Sequence, residues 1–559
     1  MVTTQDIRTS AFPVDWNESI EPGATFMFDP MHFPYPVSPL LQSTMGPAFA
    51  TGFTTAVNEY NLPIHTVEVC HRNYYRYDRQ VMKQPASDEE ARQIGEAAEA
   101  SMQREVGRMM DQWHDEHLPN ITSRLNRLRN LDVEGASPDE LVKILDEVGV
   151  IHTDFWRIHF RVVLPMFMSM QLFDEFYAEV FEGTESDAHA LVVGALSESI
   201  KGGIGLSDLA ALARTLGLES LFRETTTDSL PSKLEATEQG RQFLARLDAY
   251  LADYGLRQDL FEYTTPTWQE DPTIALASIR SYLLIGRDAR ADYAAKAQSA
   301  EDASTAAREH LAAYPEAVRG QFEAMLQFGR DGAFMQEEHH FYIDQQGIAL
   351  LRLFYLKVGQ RLAEAGAIER ADDIFMLHID EVRRLTGDSE TGSDGDGVRA
   401  TVATRRDEMR QAHTMAPPPF IGDPPTGLPP NGNPMERAIM RFFGGPPQKS
   451  DVAGQLKGNA GSKGVATGIA RIAKTLDDAS HVEPGEILVA VTTTPPWTPL
   501  FGVASAVVTE TGGALSHCAI VAREYGIPAV VGVHGATTAI KPGQRITVDG
   551  TSGMVTLDS

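Results

Sequence analysis

Along the first 445 residues, apolar side chains return at three- and four-residue intervals with charged residues between them, a pattern that predicts a mainly helical region. Its clearest start signal is SPDELVKILDEVG. Ser137 stands at an N-cap position, Pro138 at the first helical position and Glu140 three residues past the cap, which makes a capping box. GLSDLAALARTLG, around Leu206, and the alanine-rich, charge-laced stretch from Arg287 to Tyr314 predict further helices. The beginning differs: ATFMFD (Ala24 to Asp29) and IHTVEV (Ile64 to Val69) predict strands and give a mixed α/β start over residues 1–85. MAPPPFIGDPPTGLPPNGNP, Met415 to Pro434, holds too much proline and glycine for regular helix or strand. It is expected to be a stiff connector or an extended strap within residues 415–447. A polar loop, GDSETGSDGDG from Gly387 to Gly397, is expected to be flexible. No fixed-period repeat is present, which disfavours a solenoid.

Near the C-terminus the pattern changes. ASAVVT, Ala504 to Thr509, is a short β-branched run that predicts a buried strand. Thr511, Gly512 and Gly513 then form a turn in which glycine permits positive φ and close approach of a ligand. Ser516 is a candidate N-cap, SHCAIVAREYG predicts a helix closed by Gly526, and PAVVG predicts the next strand. His517 therefore falls in the first helical turn, where unpaired N–H groups and the positive end of the helix dipole favour an anion. A lone histidine at a helix start more often caps or packs than reacts. Here the glycine turn, the Ser-His pair and the two flanking strands agree, so His517 is taken as a candidate carrier of a phosphoryl group.

Composition narrows the setting. A chain of 559 residues predicts several domains with ample core. Two cysteines, Cys70 and Cys518, give no disulfide framework, and neither a basic-then-apolar leader nor an 18-residue apolar run is present, so a cytoplasmic location is expected, with no membrane partner. The net charge of −29 argues against a nucleic-acid partner. That charge is uneven. From Asp451 onward seven basic and nine acidic residues nearly cancel, so a carrier segment there could visit a phosphate-rich site with little repulsion.

TGGALSHCAIVAREYGIPAVVG closely resembles the phosphohistidine signature of the PEP-utilising enzyme family, which includes PEP synthase, pyruvate phosphate dikinase, rifampicin phosphotransferase and phenylphosphate synthase. KGVATGIARI from Lys463, GEILVAVTTTPPW from Gly485 and VDGTSGMVTL from Val548 fit as well. The resemblance implies a C-terminal α/β (β/β/α) swivelling phosphohistidine domain at residues 448–559, following a large, mainly α-helical acceptor-binding domain at residues 1–445. It implies that His517 is the phosphoryl carrier, cradled by Thr511, Gly512, Gly513 and Ser516. Cys518 stands where alanine is common in the family; both are small, and no change in chemistry is expected. The chain reaches Ser559 too soon after His517 for the ~250-residue barrel that binds PEP or pyruvate in other members, which makes pyruvate an unexpected acceptor. Neither a G-x-x-x-x-G-K-[ST] loop nor a glycine-rich strand-turn-strand precedes the carrier segment. ATP and Mg²⁺ are therefore expected mainly on a separate ATP-binding subunit, with no cofactor bound tightly and no metal site on this chain. The likeness is greatest to phenylphosphate or cresol-phosphate synthase subunits and to rifampicin phosphotransferase-like proteins without the ATP-binding domain.

Two helical stretches are candidates for an acceptor pocket. In HTDFWRIHFRVVLPMFMSMQLFDEFY, aromatic and methionine residues recur at helical spacing, and His152 and His159 share a face; a core helix with two satisfied histidines is the plainer use of such a stripe. QEEHHFYIDQQGIALLRLFYLKVGQRLAEAGAIERADDIFMLHIDEV, from Gln336, is similar to the acceptor-binding region of rifampicin phosphotransferase-like proteins, and WNESIEPGATFMFDPMHFP from Trp16 resembles the start of that region. On this likeness Glu338, His339 or His340 would take the acceptor proton, and Arg352 and Lys357 would steady the moving phosphoryl charge; surface charge on a helix is the competing explanation for each. Asp372 and Asp373 are expected to cap a helix. Glu337 and His340 have the spacing of a di-iron E-x-x-H, but no second such motif accompanies them, so that site is not expected. Three functions remain: a dikinase-type subunit passing phosphate to a small, hydrophobic, phenolic hydroxyl; the same chemistry on a rifampicin-type antibiotic; and a phosphohistidine carrier that signals to a protein.

Overall fold

The computed structural model describes residues 12–181, 185–286, 288–387, 395–424, 434–445 and 448–558. The first eleven residues, most of the polar loop and parts of the proline-rich segment lie outside the described residues. The large N-terminal region is helical and the C-terminal segment holds a sheet. The capping box forms: the Ser137 N–H donates to Glu140 at 2.8 Å and the Glu140 N–H to the Ser137 hydroxyl at 3.4 Å, opening the 44-residue helix Pro138–Phe181. The helices read around Leu206 and in the alanine-rich stretch are Glu198–Thr215 and Ala289–His310. Among the described residues no helix is long and apolar enough to cross a membrane.

The chain folds into two compact units, each assembled from three stretches. The first comprises Met1–Pro165, Leu260–Thr265 and Tyr342–Pro430. It holds an antiparallel four-stranded sheet in the order Ile64–Arg72, Tyr75–Met82, Thr25–Phe28, Phe420–Gly422. The last strand corrects an expectation, because it lies within the proline-rich segment that was to contain no strand. It pairs Thr25 with Gly422 and Met27 with Phe420 at the sheet edge, where the flanking prolines interrupt no ladder. Tyr75, Tyr77, Ala412 and Ile421 pack there with Trp16 and Phe28.

The second unit comprises Met166–Asp259, Pro266–Phe341 and Asn431–Ser559. Its mixed eight-stranded sheet runs in the order Gln455–Lys457, Met554–Leu557, Arg545–Asp549, Val465–Ala473, Ile487–Ala490, Ala506–Thr509, Ala529–Val531, Asn459–Ser462. The central strands are parallel and buried on both faces, which is why ILVA, AVVT and AVV are unbroken apolar runs. Alternation along them sends Ile487, Val489, Ala506, Val508 and Val530 to a core shared with Ile546, Val548 and Val555. Leu488, Ala490, Val507, Ala529 and Val531 point the other way, into one continuous cluster with Leu206, Phe243, Trp268, Ile279 and Leu283 of the helices. Polar contacts reinforce that junction: the buried Asp259 carboxylate accepts the Leu476 N–H at 2.7 Å and the Trp497 indole N–H at 2.6 Å.

Candidate active site

The strand Ala506–Thr509 delivers the chain to the Thr-Gly-Gly turn, which is pinned from several sides. The Thr511 N–H and hydroxyl both donate to the Val491 carbonyl at 3.1 Å, and the Gly513 N–H donates to the Phe442 carbonyl at 2.8 Å. Gly512 has φ +98°, and a Cβ on Gly513 would stand 1.9 Å from the Arg441 carbonyl oxygen, so both positions require glycine. The helix His517–Tyr525 follows and closes at Gly526 in the left-handed conformation. Ser516 occupies the N-cap position with extended backbone but does not cap through its side chain; its hydroxyl donates to the Gly513 carbonyl at 2.7 Å. The predicted cap is thus a brace for the turn, and the side chain leaves the first-turn amides untouched.

His517 is buried, and its Nδ1 lies 3.0 Å from Oε1 of the equally buried Glu337, near the end of the helix Glu316–His339. Burial alone would raise the Glu337 carboxyl. The charge of His517 and its hydrogen bond, with His340 and Ser199 nearby, outweigh that and hold it below the ordinary carboxylate range. An ionised carboxylate only accepts, so Nδ1–H donates to it and Nε2 is the ring nitrogen left for chemistry. His517 Nε2 and Glu337 Oε2 are buried without a hydrogen-bond partner among the described residues. A small pocket beside Glu337 is walled by Ser197, Ile200, Phe334, Ile520, Val521 and Glu524. The carboxyl of half-buried Glu524, two turns beyond His517 on the same face, is pushed up to about 7 by lost hydration while accepting the Gly194 N–H at 3.1 Å. Cys518 is buried and its thiol is pushed up to about 12 by that burial, far from a reactive thiolate.

Glu338 is buried, accepts the Glu198 N–H at 3.0 Å, and is pushed up to about 7, chiefly by burial. The rings of His339 and His340 lie with centroids 4.3 Å apart and planes tilted by 30°. His339 donates from Nδ1 to the Met335 carbonyl at 2.6 Å, and His340 Nε2 lies 3.3 Å from the Gln336 amide nitrogen. The second unit therefore contains His517, its turn residues, Glu338, His339 and His340. Arg352 and Lys357 belong to the first unit, where Arg352 is buried, donates to the Tyr263 carbonyl and lies 5.2 Å over the Phe375 ring, and Lys357 is exposed. His152 accepts the Trp156 indole N–H at 3.1 Å and His159 lies 3.1 Å from Asp344, so both histidines of the aromatic stripe have core partners. Asp373 accepts the Glu369 and Arg370 N–H groups as a cap, and Asp372 pairs with Arg370 and Arg406. Sequence reasoning missed Glu337 as the partner of His517. Its only signal was the acidic-histidine run itself, because a contact between residues so far apart in sequence has no periodicity.

Residues 482–553 match the family described as PEP-utilising enzyme, mobile domain, and residues 159–337 match the rifampicin phosphotransferase fourth domain. His517 lies in the first of these segments and Glu337 closes the second. The chain is 34% identical over 558 residues to chondramide synthase cmdD of Chondromyces crocatus, which covers 98% of this chain and 14% of that protein. It is 28% identical over 537 residues to the uncharacterised phosphotransferase YvkC of Bacillus subtilis, covering 94% of this chain and 60% of the relative. It is 36% identical over 200 residues to a rifampicin phosphotransferase of Bacillus subtilis, covering 36% and 21% of the two chains. This chain thus spans less than two thirds of the length of these curated relatives.

Proposed function

Because the chain belongs to the PEP-utilising enzyme family, we propose that it is the phosphohistidine-bearing part of an ATP-dependent phosphotransferase of the dikinase type, with His517 Nε2 as the carrier atom. The observation that carries this is the pairing of Nδ1 with the Glu337 carboxylate, which leaves a lone pair on a buried, unpartnered Nε2 at the start of a helix. In the forward step that lone pair attacks the β-phosphorus of ATP, an N–P bond forms, the P–O bond to AMP breaks, and Glu337 stabilises the positive charge that develops on the ring; water then attacks the γ-phosphorus and releases phosphate, leaving one phosphoryl group on the histidine. In the second step an acceptor hydroxyl attacks the same phosphorus, the N–P bond breaks, and the hydroxyl proton passes to a base. Summed over attack, hydrolysis and transfer, ATP, acceptor and water become AMP, phosphate and phosphorylated acceptor.

Glu338 suits the role of that base, since a carboxyl displaced to about 7 is half ionised near neutrality. ATP and Mg²⁺ are assigned to a separate subunit, because neither a G-x-x-x-x-G-K-[ST] loop nor a glycine-rich strand-turn-strand stands in this sequence. The acceptor is a small hydrophobic hydroxyl compound, probed first as a phenol. Similarity to rifampicin phosphotransferases supports an antibiotic hydroxyl as the second reading.

The test is labelling with [β-³²P]ATP, with and without an ATP-binding partner chain, on wild type and His517→Ala, followed by a chase with phenols and rifampicin. Acid-labile label on wild type alone, discharged by one acceptor class, is the expected result. Absence of label on His517 with every partner tried would sink the carrier assignment.

A further inference from the structure

Arg257 is 3% exposed, yet its Nε and Nη2 have no hydrogen-bond partner among the described residues. Its guanidinium is instead surrounded by rings, 5.0 Å from the centroid of Trp268 and 5.8 Å from those of Tyr254 and Phe341. Such faces return only part of the hydration a buried cation loses. Of the two carboxylates whose charge reaches it, Glu198 is engaged by Lys201 at 2.6 Å and by the Tyr254 hydroxyl at 3.1 Å, and Glu337 by His517 at 3.0 Å. A buried cation with unused donors in an otherwise packed wall calls for an anion that is not part of the chain.

A second group points the same way. Ser199 is 4% exposed; its hydroxyl lies beside the Glu337 carboxyl, without a hydrogen bond of ordinary geometry among the described residues. Ser199 and Gly202 lie three residues apart on one face of the helix Glu198–Thr215, and a Cβ on Gly202 would stand 3.3 Å from Arg257 Nη2. The absent side chain at Gly202 is what lets the guanidinium lie along that face, one turn from the Ser199 hydroxyl. Ser197 and Ile200, from the cap and first turn of this helix, share the small pocket with Glu337. Arg257 and Ser199 both lie within electrostatic reach of Glu337, the residue paired with His517.

We propose that Arg257 and Ser199 form a buried subsite for a phosphoryl dianion, filled by the group carried on His517 Nε2. The subsite rests on the carrier reading for the source of its ligand, while its capacity to bind a dianion does not. The guanidinium offers two N–H donors and the serine one O–H, a set suited to a tetrahedral dianion rather than to an apolar acceptor.

The test uses the full chain and inorganic phosphate, followed by ³¹P line broadening and by the rise in unfolding temperature at constant ionic strength. Wild type is expected to bind phosphate, and Arg257→Gln, Arg257→Lys and Ser199→Ala to bind it more weakly, Arg257→Gln by about tenfold or more. Should Arg257→Gln fail to fold, the two milder variants decide. Unchanged binding in the folded variants, or none in wild type up to about 50 mM phosphate, overturns the subsite. A second arm phosphorylates His517 chemically with phosphoramidate, whose P–N bond breaks to release ammonia as the histidine N–P bond forms. Loss of phosphate binding by the phosphorylated chain assigns the subsite to the carried group, and persistence overturns that assignment in favour of free phosphate. Failure of ATP to label His517 leaves the first arm unaffected, so the two ideas fail separately.

Discussion

At the scale of single residues, the carrier chemistry proposed for His517 depends on which ring nitrogen holds the proton. Glu337 decides it by accepting from Nδ1. Glu337→Gln keeps the volume but can present an N–H to Nδ1, turning the lone pair inward; labelling of His517 should slow on the order of 10²-fold with the fold intact, as followed by rapid-quench labelling and circular dichroism. Cys518 makes the opposite point. Its proximity to His517 in sequence invites a chemical role, yet burial has moved its thiol to about 12. Native protein should leave Cys518 unmodified by maleimide at pH 7.5, and Cys518→Ala should keep the labelling rate within about twofold. The residue-level outcome divides on locality. His517, its glycine turn and Gly526 were legible because their signals are local, whereas Glu337 was not, because its partner lies 180 positions away.

At the scale of elements, the turn from Thr511 to Ser516 works as a clamp made of backbone. Gly513 touches the last turn of the helix Pro434–Phe443 through its N–H and lies against Gly444, with no room for a methyl group. Gly513→Ala should destabilise the second unit by about 2 kcal/mol or more and abolish labelling, seen as a lower urea midpoint for Trp497 fluorescence and loss of acid-labile counts. The proline-rich segment shows the limit of composition as a guide. Proline forbids interior ladders, but an edge strand of three residues, Phe420–Gly422, needs only the bonds that remain. The capping box at Ser137 and the strands at Thr25 and Ile64 were legible, because cap chemistry and alternation are short-range. The order of the strands was not, because sheet order is a property of long-range pairing.

At the scale of the whole molecule, the buried acids set a pH dependence. Glu338 and Glu524 have folded values near 7, above the unfolded carboxylate value, so the folded state holds more protons between about pH 4.5 and 7. Their contribution is full below the unfolded value and is lost as pH rises through the folded one. Glu337 and Asp174, held low by His517 and by His189 with Arg441, contribute in the opposite sense, and that contribution is lost only on acidification below their unfolded values. Buried His71, His117 and His152, pushed by burial to between about 3 and 4, add a contribution that rises with pH up to the unfolded histidine value, so the acids are read by difference: between pH 5 and 7.5 Glu524→Gln, which needs no proton to stay neutral, should gain urea stability relative to wild type, on the order of 1–3 kcal/mol. A difference between Glu524→Gln and wild type that stays constant with pH would show that Lys296, close by, already keeps the carboxylate charged. The division of the chain into two units of three stretches each was not legible, since returns of the chain such as Leu260–Thr265 leave no mark in local pattern. The apolar cluster joining Leu206 and Phe243 to Val507 and Val531 has a further consequence. A carrier that leaves this position must wet that seam, so each departure and return resembles a small unfolding and refolding event, with a heat-capacity change of its own. Turnover fed through the carrier should then give a curved Eyring plot, and direct chemical phosphorylation of His517 a straighter one: the temperature dependence of the rate would record hydrophobic surface meeting water rather than the making of a phosphorus–nitrogen bond.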